Sequence, residues 1–211
     1  MAAFIRTVWK GNFLGVQDWS FGLNFLVIGT GGIGQADLDA WLALVHTDTT
    51  TYMAATGGGT SWLSNQGHCT EISAYHQASP TTPADVVSNI AGLSYVGGGN
   101  VGMPPQCSIV HSLHSANPRR NGRGRAYVPA FGCAVVAGSG RLGSPTALSM
   151  ATAMAALINS INGHAVGGNA VGCGSPSTGD IFTQLSVNDQ VDTQRRRTDK
   201  VGSTTVAVAA L

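Results

Sequence analysis

The sequence predicts an α+β fold: a mainly antiparallel β-sheet or pair of sheets, two main packed helices, extended loops and a C-terminal arm at 201–211. Three observations carry this. Segments with the aromatic and β-branched content of strands recur along the chain. Two segments have the apolar stripe and end signals of helices, and no linker or charge run divides the 211 residues. A single domain over 1–211 follows.

Residues 3–9 (AFIRTVW) and 16–28 (VQDWSFGLNFLVI) read as strands joined by a turn around Gly11 and Asn12. After a glycine-rich bend, 35–46 places Leu38, Trp41, Leu42 and Val45 on one helical face, with Asp37 and Asp39 in the first turn, where a helix favours negative charge. From Thr47 to Gly67 threonines, glycines and alanines predict a long exposed loop. A strand at 69–77 follows. The segment TTPADVVSNIAG, with a threonine before Pro83 and a glycine at 92, predicts a short helix.

The strand at 106–113 puts Cys107, Ile109, His111 and Leu113 on one face and Ser108, Val110, Ser112 and His114 on the other, the pattern of a central strand. Its expected partner is 123–128, with Arg123, Arg125 and Tyr127 on one side. The second main helix, near 145–161, has Ser144 as N-cap, Pro145 at the first helical position and Asn162-Gly163 as its stop. Ala147, Met150, Met154, Leu157 and Ile161 form its packed stripe. A last long strand, 181–194, alternates Ile181, Thr183, Leu185 and Val187 inward, and the tail VGSTTVAVAAL suits pairing with the sheet edge of an adjacent chain.

Charged residues are 10% of the chain, against about 25% in average soluble proteins, and the formal net charge is +1. So few charges leave an isolated surface poorly solvated, which points to self-assembly and homo-oligomers. The four cysteines, at 69, 107, 133 and 173, form no C-x-x-C pair. The N-terminus lacks the apolar run of a signal peptide and 206–211 is too short to span a bilayer, so cytosolic synthesis without a membrane partner is expected.

Gly29-Thr30-Gly31-Gly32-Ile33-Gly34 satisfies G-x-G-x-x-G between an apolar run and a helix, the position of a pyrophosphate-binding turn. The ribose-binding carboxylate should end a second strand about 20 residues further on. That distance falls at Asp48, inside a polar run, so a strand-to-helix bend is the favoured reading. His68, Glu71 and His76, and likewise His111 and His114, do not share faces as metal ligands would. Glu71 is the only glutamate, and no G-x-S-x-G elbow is present. Neither a catalytic residue, a cofactor nor a metal is expected, and an enzyme is not the favoured class.

Seven of the nine arginines fall in two clusters, Arg119, Arg120, Arg123 and Arg125 in one and Arg195, Arg196 and Arg197 in the other. With Tyr127 and Asp192 they are the candidate subunit-interface residues. Guanidinium groups there can clamp carboxylates such as Asp189, Asp192 and Asp199 within or across subunits, or neutralise phosphates of packaged nucleic acid, or form a solvated loop. Two readings from other classes stay open: a nucleotide-dependent enzyme using Gly29–Gly34, and a nucleic-acid-binding module using the arginine clusters.

The run PPQCSIVHSLHSANPRRNGRGRAYVP, followed about 60 residues later by VNDQVDTQRRRTDK, resembles a group of small bacteriophage structural proteins that share an S-L-x-T segment, an R-G-R-x-Y-x-P turn and a D-T-Q-R-R-R ending. Here the first of these reads Ser112-Leu113-His114-Ser115 and departs at its last position. The resemblance covers the C-terminal half. It implies a virion component without enzymatic activity, located in the virion with other virion proteins as partners, and leaves capsid and tail open.

Overall fold

A computed structural model describes residues 3–13, 17–55, 67–93, 107–114, 125–128, 155–182, 184–191 and 204–207. Strand β1 (Phe4–Phe13) lies antiparallel to β2 (Gln17–Ile28) on one side and to β3 (Gly67–Gln77) on the other. The expected turn at Gly11 and Asn12 is instead strand, paired with Trp19 and Asp18. Glycine and asparagine are tolerated there because the chain makes a bulge on its β3 side, where the register shifts between Lys10 and Gly11.

The sheet continues outward through β4 (Val86–Ala91) beyond β3, and through β7 (Ala170–Ser175) and β8 (Asp180–Ile181) beyond β2, giving the order β4-β3-β1-β2-β7-β8. All its pairings are antiparallel. β4 replaces the short helix expected over this stretch. Pro83 does not open a helix; the turn before it is closed between Ser79 and Thr82, the Thr82 N–H and hydroxyl both donating to the Ser79 carbonyl and the Ser79 N–H donating to the Thr82 hydroxyl. The β-branched Val86, Val87 and Ile90 then follow their strand preference against β3.

Helix α1 (Gln35–Ala55) covers one face of this sheet. Its start is fixed by Asp37, whose Oδ2 accepts from the Gly34 N–H at 2.9 Å, half of a capping box. Leu38, Trp41, Leu42 and Val45 are all buried, as the stripe predicts. The helix runs two turns past the expected end at His46, so the loop expected from Thr47 is helical through Ala55. The threonines that weaken the sequence signal are accommodated here, the hydroxyls of Thr47, Thr49, Thr50 and Thr51 each donating to the carbonyl four residues back.

The second helix, α2, is described over 155–162, where Leu157, Ile158 and Ile161 are buried. Its end is as expected: Gly163 N–H donates to the carbonyls of Asn159 and Ser160, while Asn162 Oδ1 accepts from Cys173 N–H at 2.9 Å and ties the helix to β7. The start at Ser144 and Pro145 lies outside the described residues, as do Ala147, Met150 and Met154. Between sheet and helices sits the core. Trp9, Phe25, Ile5 and Ile72 from the sheet and Trp41, Leu38 and Leu42 from α1 are its largest fully buried side chains, each contributing about 1.5–3 kcal/mol by burial. Phe25 and Trp41 meet edge to face at 5.7 Å.

A separate four-stranded sheet has the order β10-β9-β5-β6, from β5 (Cys107–His114), β6 (Arg125–Val128), β9 (Gln184–Val191) and β10 (Thr204–Ala207). β5 is central, as expected, flanked by β9 and β6. The long strand expected over 181–194 is two strands: Ile181 pairs with Gly174 in the first sheet, and Gln184 onward pairs with β5 in the second. Alternation specifies which residues share a face, and the two halves use that pattern in different sheets. The tail strand β10 pairs with β9 of its own chain, Thr204 opposite Val187, where an adjacent chain's edge was expected. The fold class is α+β and sheet-dominated, as the sequence predicts.

Candidate functional site

Of the expected interface residues, Arg125 and Tyr127 stand on β6, opposite His114 and Ser112 of β5 and on one face of the strand. Arg119, Arg120, Arg123, Asp192, Arg195, Arg196 and Arg197 lie outside the described residues.

The glycine run at 29–34 does join β2 to α1, yet β2 is antiparallel to both its neighbours, whereas a dinucleotide-binding turn links parallel strands through a helix. Its concave side is filled by the chain itself. Asn169 Oδ1 accepts from the Gly31 N–H at 3.0 Å and Asn169 Nδ2 donates to the Gly31 carbonyl at 3.1 Å. The same amide reaches the carbonyls of Val166 and Gly167. The glycines are required by this approach: Gly29 has φ +152°, and a Cβ there would collide with Asn169 Oδ1. Asn169 is set by a two-residue turn in which Gly167 and Gly168 both have positive φ and Val166 and Asn169 exchange backbone hydrogen bonds of 2.9 Å. The Gly-Gly pair in this stretch was the available signal for a hairpin turn here; its general richness in glycine obscured it.

A second cluster escapes sequence reasoning entirely. Asp48 on α1 accepts from Ser160 Oγ on α2 at 2.7 Å and meets His164 Nε2 at 2.7 Å. Spacings of 112 and 116 residues leave no local pattern to read. The carboxylate stands in the middle with the hydroxyl and imidazole each bound to it. A nucleophilic triad needs the imidazole in the middle, so this arrangement fastens the two helices and does not activate the serine. Trp41 Nε1, donating to the His164 carbonyl at 3.2 Å, braces the same loop.

The remaining feature is the sheet face turned away from the helices. Lys10 Nζ meets Glu71 Oε1 at 2.9 Å, and that oxygen also accepts from Ser73 Oγ and Asn89 Nδ2. The Ser73 hydroxyl and then the Lys10 ammonium hold the Glu71 carboxyl below its ordinary range, and Glu71 raises Lys10 in return. Along β1, Arg6 lines an open pocket of about 340 Å³ with Val8, Tyr75, Gln77 and Ala84. His76 is buried with Nδ1 2.7 Å from Asp85 Oδ1. Among the described residues no three His, Cys, Asp or Glu side chains are grouped to hold a metal ion, and no helix is long and apolar enough to cross a membrane. Burial pushes the Cys173 thiol up, so it stays protonated and a poor nucleophile. What this set shows is internal fastening.

No protein-family model, curated protein or solved structure matches the chain.

Proposed function

We propose that the chain is a self-assembling structural protein of a bacteriophage virion, a capsid component in the first instance and a tail or neck ring in the second. The observation that carries this is the charge distribution: 10% charged residues overall, with seven of nine arginines in two short segments. A surface so poor in ionic groups is suited to cover by other subunits, and localised guanidinium groups suit register-fixing pairs across subunit boundaries. The resemblance of the C-terminal half to phage structural proteins supports the same reading. Copies of the chain are the primary partner, other virion proteins the next, and packaged nucleic acid is the alternative occupant of the arginine clusters.

Sedimentation velocity of the purified chain tests the reading directly, because a lone 21.6 kDa species and a closed ring or shell sediment far apart. Assembly is the expected result, and Arg125→Ala should leave the subunit folded while impairing it. A chain that stays monomeric at high concentration would sink the proposal. The enzyme alternative predicts measurable binding of NAD or ATP in equilibrium dialysis, and occupation of the Gly31 N–H by Asn169 argues against it. The nucleic-acid alternative predicts DNA affinity that falls steeply with salt.

A further inference from the structure

We infer that the outer edge of β4, which pairs with no strand among the described residues, is a pairing edge for a second copy of the same strand, joining two six-stranded sheets across a two-fold axis. This rests on the self-assembly reading and gives it a specific contact. Among the described residues the two sheets have four edge strands, and three of them carry a feature that discourages pairing. β8 has only two residues, β10 has four, and β6 has four and begins with Arg125. β4 is different: its six residues, VVSNIA, include no charge and no proline. Val87 is 46% exposed, and Asn89 and Ala91 on the same face are exposed too.

The occupant follows from charge and register. Directly opposed residues of an antiparallel pair share a face, so a two-fold must pass through a residue and not between two. Passing through Asn89, it sets Val87 opposite Ala91 of the second copy on the exposed face and Ser88 opposite Ile90 on the helix side. No charge meets its own image within this stretch. The neighbouring carboxylates lie outside it and are paired, Glu71 of β3 with Lys10 and with Asn89 itself, and Asp85 with His76. Strand pairing supplies main-chain hydrogen bonds to groups of β4 that meet no second strand among the described residues. Gln35 Nε2, which donates to the Val87 carbonyl at 2.9 Å, is the local contact an incoming strand must share or displace.

The test uses the full chain. Val87→Lys places a charge on the edge at a position already half exposed, and its folding is checked by circular dichroism and thermal midpoint. It should weaken association in sedimentation velocity by about tenfold or more, a difference of roughly 1.4 kcal/mol. Asn89→Cys brings two thiols face to face across the axis, at a Cα separation of about 4.5–5.5 Å that a disulfide can bridge. Mild oxidation should therefore give a reducible dimer, absent from the wild type and from Thr81→Cys on the neighbouring turn. If the wild type assembles while Val87→Lys assembles equally well, or Asn89→Cys gives no dimer beyond the Thr81→Cys control, the β4 contact is wrong and self-assembly survives. A wild type that remains monomeric overturns both.

Discussion

Trp9 Nε1 on β1 donates to Thr49 Oγ1 on α1 at 3.1 Å, inside the core, and the same hydroxyl donates to the Val45 carbonyl at 2.7 Å. One threonine thus serves the sheet as an acceptor and its own helix as a donor. Thr49→Val keeps the shape and removes both roles. It should cost about 1–3 kcal/mol of stability by urea denaturation followed through tryptophan fluorescence, since a buried indole loses an acceptor. Thr51→Ala, on the exposed side of the same turn, should be neutral or slightly stabilising because alanine is the better helix former.

Asn169 closes the Gly29–Gly34 loop from 138 residues away. Asn169→Ala abandons the Gly31 N–H and three carbonyls, and should lower the unfolding free energy by about 2–4 kcal/mol. Gly29→Ala should destabilise by a comparable amount through collision with the same amide, whereas Gly32→Ala, whose Cβ meets nothing within 4 Å, should be far milder. Equal effects at Gly29 and Gly32 would show that the clasp does not hold the loop.

The stripe of α1 and the stop of α2 were legible because Leu38, Trp41, Leu42 and Val45 recur at helical spacing and Gly163 closes its turn onto the carbonyls of Asn159 and Ser160, signals written in consecutive residues. What failed has a common cause. The run of α1 past His46 is supported by Trp9 arriving from β1 to meet Thr49, and the strand state of 86–91 depends on β3 lying alongside. Tertiary partners decided both, against weak local signals. The Asp48, Ser160 and His164 cluster is the extreme case, with no local term at all. The arginine segments stood out by composition, a property that carries chemistry without carrying geometry.

Glu71 and Lys10 give the stability a defined pH dependence. The Glu71 carboxyl is lowered on folding, first by Ser73 and then by Lys10, so its contribution is present above the ordinary carboxylate range and lost as pH falls through its folded value. Lys10 is raised, chiefly by Glu71, so its share is present below the ordinary lysine range and lost as pH rises through the folded value. Both contributions are present between those limits. Glu71→Gln should therefore reduce the thermal midpoint slightly at neutral pH and converge with the wild type in acid. The neutral-pH difference should shrink in high salt, as expected of a solvent-exposed pair.

Thr7 faces the helices between Leu23 of β2 and Ala74 of β3, fully buried, and its Oγ1 has no hydrogen-bond partner among the described residues. Its neighbours of the same face on β1, Ile5 and Trp9, are apolar and buried, so the hydroxyl loses water and gains nothing in return. Valine has nearly the same shape and replaces the hydroxyl by a methyl group. Thr7→Val should raise the unfolding free energy by about 1–2 kcal/mol without changing the slope of the urea transition, because the surface exposed on unfolding hardly changes. The opposite sign, a loss of stability, would mean that the hydroxyl is satisfied in solution by a bound water between β1 and α1, which a denser packing at that position would have excluded.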